Sequence, residues 1–166
     1  MPAIPAVEPE PDPEEAAEPD LLDVELAEAG AARIAVPVGW VVDAGPPLVA
    51  QPAAWTATPP GLVVTWARED TDRDATALAA AVAEQAGAAL ADALVVEVVA
   101  TDDDVTVVVA HRHRGVDVTT VERHLPRPGG SRWITSFTCA DPDLPELLPT
   151  ALRVVASLAV GDRDQP

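Results

Sequence analysis

Residues 105–139 constrain this chain more than any other stretch. Val, Thr, Ile, Phe and Trp are concentrated there, side chains that suit a pleated, half-buried surface. The run is punctuated twice, at Arg114-Gly115 and again at Pro126-Arg-Pro-Gly-Gly130. Together these features predict three successive β-strands over 105–114, 116–124 and 132–139, joined by two turns. A meander of that size has to bury a face, so the rest of the chain must supply what covers it.

The 166 residues fit one domain with an appendage. In residues 1–20, Pro2, Pro5, Pro9, Pro11, Pro13 and Pro19 are interleaved with seven carboxylates. Proline removes backbone donors and like charges repel, which predicts an extended, disordered acidic tail over 1–31. Within it, Asp20 as a cap and Gly30 as a stop predict a short helix. The folded domain is expected over 32–160, with a fraying end at 161–166. It opens with Arg33-Ile-Ala-Val-Pro-Val-Gly-Trp40, a strand of edge type because Pro37 has no N–H to give a ladder. Trp40 is expected to cover one end of the core. Residues 44–60 are loop-rich, with a short strand around Trp55. A strand follows over 61–68, with Leu62, Val64 and Trp66 on one face.

Asp74 is a plausible cap for a helix over 74–93, in which Leu78, Val82 and Leu90 recur near helical spacing. Gly87 within it is read as a point of close approach. A strand over 94–100 and a polar turn at Asp102-Asp-Asp104 lead into the meander. Beyond Cys139, a helix over 145–157 and an edge strand over 157–160 complete the chain.

The net charge of −18 is unevenly placed. Residues 1–32 hold ten acidic residues and no basic one, leaving 18 acidic and 10 basic residues, or −8, for the rest. Phosphate backbones need clustered positive charge, so nucleic acid is not the expected partner. All ten basic residues are Arg, which with the abundant Ala, Val and Pro matches the coding of a GC-rich bacterial genome. One cysteine cannot form an internal disulfide, which fits a reducing compartment. The first residues resemble no secretory signal, and no apolar run approaches about 18 residues. The expected location is cytoplasmic, without membrane insertion.

Catalytic patterns are absent from the sequence. Ser131, Ser136 and Ser157 have no nucleophile-elbow setting, and Gly129-Gly130 falls in a hairpin rather than between a strand and a helix. Asp102-Asp-Asp104 lacks the spacing, the glycine bend and the distal Glu of a calcium loop. His111 and His113 share a strand face and could address one ion, but zinc needs further ligands and His124 lies far along the next strand. No enzyme activity, cofactor or metal is therefore expected. Several arginines make the 111–132 region locally basic, and guanidinium forks suit carboxylates. The candidate protein-contact surface is His111, Arg112, His113, Arg114, Arg123 and Arg132, together with Trp40.

The order of elements resembles the PsbP-like α/β/α sandwich superfamily, which includes the Ran-binding Mog import factors, the DcrB group and LpqN-type bacterial proteins. The resemblance covers residues 32–160. Its carriers are the opening Arg33 to Trp40 strand and turn, the helix 78–94, the strand Arg132-Trp-Ile-Thr-Ser-Phe-Thr-Cys139, and the closing Ala151-Leu-Arg-Val-Val-Ala-Ser-Leu-Ala-Val160. It implies an α+β fold, an antiparallel twisted sheet flanked by helices. Members of the superfamily mostly serve as binding modules, adaptors or chaperones. The expected function is a non-enzymatic, protein-binding adaptor or chaperone-like module, acting as a monomer or weak homodimer on another protein. The alternative is a small-molecule or metal-binding domain using a cleft near His111 and His113.

Overall fold

The structure, a computed structural model, describes residues 20–26, 32–68, 73–90, 92–127 and 130–161. In chain order its elements are β1 (Leu21–Glu25), β2 (Ala32–Pro37), β3 (Trp40–Asp43), β4 (Leu48–Pro52), β5 (Gly61–Arg68), α1 (Ala75–Ala89), β6 (Leu94–Ala100), β7 (Val105–His113), β8 (Val116–Arg127), β9 (Ser131–Ala140), α2 (Leu144–Ala156) and β10 (Ala159–Val160). A single 3-10 turn, Asp141–Asp143, introduces α2. The strands form two antiparallel sheets. The large one runs β3-β4-β5-β9-β8-β7-β6 and the small one β1-β2-β10.

The three-stranded meander forms β7, β8 and β9 of the large sheet, running from the central strand β9 to β7 beside the edge strand β6. Arg114 and Gly115 both take positive φ, 51° and 82°, the backbone of a two-residue hairpin whose twist matches its strands. Glycine adopts that shape without steric cost. The second turn is shorter than expected, because Pro126 and Arg127 still pair with Arg132 and Ser131.

Register separates the two faces of the large sheet. Val108, Val121, Phe137 and Leu62 lie across from one another on neighbouring strands, so they share a face. On that side Leu48, Leu62, Phe137 and Val121 pack with Val154 and Val155 of α2 and with Ile34 and Val36 of β2, forming the main core. Val105, Val107 and Val109 point to the other side and pack against Leu78 and Val82 of α1 in a smaller second core. The two helices thus cover opposite faces. The helix α1 starts where the sequence predicts, with Asp74 Oδ1 accepting from Ala77 N at 2.8 Å.

Several expectations need correction. Leu21–Glu25 is a strand rather than a short helix, paired in register with Pro37 back to Arg33. Backbone bonds from Val38 N to Asp20 O and from Leu26 N to Ala32 O extend that ladder at both ends. The fold therefore reaches back to Asp20, while residues 1–19 and 27–31, which carry the rest of the predicted tail, lie outside the described residues. The strand β2 is central rather than an edge, since β1 and β10 flank it and Pro37 sits at its last position. The helix α1 ends at Ala89 rather than at 93, and a Cβ on Gly87 would meet nothing within 4 Å, so no close approach occurs there. Trp55 lies in irregular backbone between two bends, not in a strand. Trp66 shares the face of Leu62 and Val64 yet is 55% exposed, although Trp133 across from it is buried. The closing strand is real but short, confined to Ala159–Val160.

Candidate binding surface

The β7–β8 hairpin brings part of the predicted surface together. Arg112, His113 and Arg114 are exposed at its tip. There Arg112 reaches across to Asp117, with Nε and Nη2 each 2.9 Å from Oδ1. His111, one step back on the same face as His113, is half-buried, and its Nε2 lies 3.0 Å from Thr120 Oγ1. That hydroxyl is in turn 2.8 Å from Thr138 Oγ1, a polar chain running across three strands. His124 pairs in register with Val105 and His111 with Val118, six pairs apart, or about 20 Å along the ladder. Among the described residues no group of three His, Cys, Asp or Glu side chains gathers to hold a metal.

The other members of the set are engaged elsewhere. Arg123 stands on the α2 face, beside Thr106 and Thr135. Its Nε donates to Asp104 Oδ2 at 2.6 Å, and Nη1 reaches the carbonyls of Val155, Ala156 and Leu158 at 3.2–3.4 Å. A cation there meets the unsatisfied carbonyls at a helix C-terminus. Burial would raise the Asp104 carboxyl, but hydrogen bonds from Thr101 and Arg123 and the Arg123 charge outweigh it and hold its pKa below the ordinary value. Arg132 is buried on the opposite face. Trp40 tilts against Phe137, ring centroids 5.6 Å apart, and closes one end of the core as expected.

One polar group was not anticipated. Glu122, His124 and Ser136 meet on the α1 face of the large sheet: His124 Nε2 lies 2.5 Å from Glu122 Oε1, and Ser136 Oγ donates to Glu122 Oε2 at 2.9 Å. Burial pushes the Glu122 carboxyl up, yet His124, then Ser136 and the charge of Arg132, hold its pKa below the ordinary carboxylate value. The carboxylate stands between serine and imidazole, so the imidazole is not placed to take the serine proton. The i, i+2 spacing of Glu122 and His124 was the available signal, since such residues share a strand face. Cys139 is buried, and burial, aided by Asp143 and Asp141, pushes its thiol up to about 11. That disfavours the reactive thiolate.

Apolar side chains left to solvent are the most distinctive surface feature. At one end of the large sheet, Val41, Val49 and Val63 form an uncovered valine patch on the α1 side, beyond the reach of α1. At the other end, β6 exposes Leu94, Val96, Val98 and Val99. Scattered exposed hydrophobes are ordinary, but contiguous ones on ordered strands mark interaction surfaces.

No family profile and no curated protein matches this chain. Solved structures do. Cyanobacterial PsbP from Synechocystis superposes with a TM-score of 0.65 at 16% identity, over 85% of this chain and 92% of its own. The Ran-binding protein Mog1p of Saccharomyces cerevisiae gives 0.63 at 11% identity, over 86% of this chain and 96% of its own. LpqN of Mycobacterium tuberculosis, described as involved in cell envelope biogenesis, gives 0.59 at 11%, over 86% and 91%. The fold is PsbP-like. At these identities the likeness is one of fold, and it matches the resemblance carried by the opening strand, the first helix and the meander. No described helix of this chain is long and apolar enough to cross a membrane.

Proposed function

We propose that this chain is a non-enzymatic, cytoplasmic protein-binding module of the adaptor or chaperone-like kind. The observation that carries the reading is the pair of uncovered apolar strand surfaces at the two ends of the large sheet. A folded domain gains by covering such surfaces, and another protein supplies the cover. The Ran-binding description of Mog1p adds support, since it records a protein partner for one protein of this fold.

The test is capture from a bacterial lysate on the immobilised full chain, compared with Val41→Thr/Val49→Thr/Val63→Thr, with Val96→Glu/Val99→Glu, and with Arg112→Ala/Arg114→Ala. Arg123 is left intact because it anchors α2. A specific protein retained by the wild type and lost in one variant supports the reading. Retention indifferent to all three variants, or no retained protein, sinks it.

A further inference from the structure

The β6 edge carries more than generic stickiness. Its sequence, Leu-Val-Val-Glu-Val-Val-Ala, is a nearly unbroken apolar run of the kind found in strands paired on both sides and covered on both faces. Here it has neither protection. It pairs only with β7, no described strand pairs along its outer edge, and Leu94 and Val96 are 64% and 59% exposed. Long apolar edges are hazards that folded proteins usually blunt. This one is blunted by a bulge between Val95 and Glu97 and by the Glu97 charge, which leaves the Glu97-Val-Val-Ala100 half straight and open.

Charge then selects the occupant. Between Arg73 and His111 the chain carries seven carboxylates and no cation. Glu97, Asp102 and Asp103 are exposed along or beside β6, while Asp104 is spent on Arg123 and Asp92 lies within the field of Arg112. Two copies of this chain meeting edge to edge would bring these carboxylates together, at a repulsive cost. We propose that β6 is a docking edge for an extended apolar segment of another protein flanked by basic residues, which adds as an eighth strand along the Glu97 to Ala100 half. Backbone pairing supplies the register, the valines supply apolar contact, and the acidic frame selects basic flanks. This inference rests on the binding-module reading and names its site and partner chemistry.

The probe is a synthetic peptide with a Val-Thr-Val-Thr-Val centre and two lysines at each end, titrated into the full chain by calorimetry. Backbone amides are followed by NMR hydrogen exchange. Binding is expected, with new protection confined to residues 97–100, and salt of about 0.5 M should weaken it about tenfold. Val96→Thr/Val99→Thr removes apolar contact while keeping the acidic frame, and Asp102→Asn/Asp103→Asn does the reverse; each should weaken binding severalfold. All four positions are on the surface, so melting curves should stay unchanged. Equal binding of a glutamate-flanked peptide overturns the proposal. So does a dimer in sedimentation that Val96→Glu/Val99→Glu dissolves, which would make a second copy the occupant. If the peptide protects no residue of β6 while lysate capture depends on the Val41 patch or the hairpin tip, the edge is wrong and the binding-module reading stands. Failure of both experiments removes both.

Discussion

Arg123 joins the two ends of the fold: its guanidinium ties the turn before β7, through Asp104, to the carbonyls that end α2. The side chains of both ionic partners are less than a fifth exposed, so solvent screens the pair only partly. Arg123→Ala removes the charge-assisted bonds and leaves a half-buried carboxylate short of a partner. A loss of about 2–4 kcal/mol in urea unfolding is expected, and a loss under about 0.5 kcal/mol would show that water replaces the arginine freely. Glu122 and Asp104 set the acid limb of stability. Both have folded pKa values below their unfolded ones, so their contribution is complete above about pH 4.5 and disappears as pH falls through the folded values. Unfolding free energy should therefore drop as pH falls below about 4.5, and Glu122→Gln should flatten that slope. An unchanged slope would mean that the Glu122 contacts do not persist in solution.

At the level of elements, what could be read from the chain depended on how local the cause was. Asp74 caps α1 through its own next turn, and the Arg114-Gly115 hairpin is set by its own dihedrals, so both were legible. Strand β5 was legible because its alternation of buried and open positions holds from Leu62 to Thr65. Strand β1 was not. Leu21, Leu22 and Val24 show no clean period, and its strand character comes from β2 alone. Arg123 was placed on a contact surface because arginine in an exposed-looking strand invites that reading; nothing near it in sequence announces the end of α2. The exposure of β6 was equally hidden, since an apolar strand sequence reads as interior until sheet order is known. A truncation series tests the role of β1. Removing residues 1–19 should leave the melting temperature unchanged. Removing residues 1–25 strips Leu21 and Val24 from the core and exposes one side of β2, with an expected cost of about 2–4 kcal/mol. Equal melting of the two truncated chains would mean that β1 is dispensable.

For the whole molecule, the small sheet is what makes the fold a closed unit. Strand β2 sits between strands from the two ends of the domain, and the N–H of Ala35 bonds to Ser157 Oγ, 122 residues away, at 2.9 Å. A chain stopping at Asp143 keeps the whole large sheet but lacks α2 and β10, so Ile34, Val36, Leu62 and Phe137 lose their cover. No cooperative thermal transition is expected of it by circular dichroism, and a sharp one would show that the large sheet is an independent unit. On the ribosome, the same arrangement imposes a delay. At about 5–20 residues per second, roughly 6–24 s separate the synthesis of β2 from that of Ser157. For that interval a nascent chain holds a finished but half-clad β2, and an attendant that shields it until the last residues emerge would decide how much of each translated chain reaches the native state.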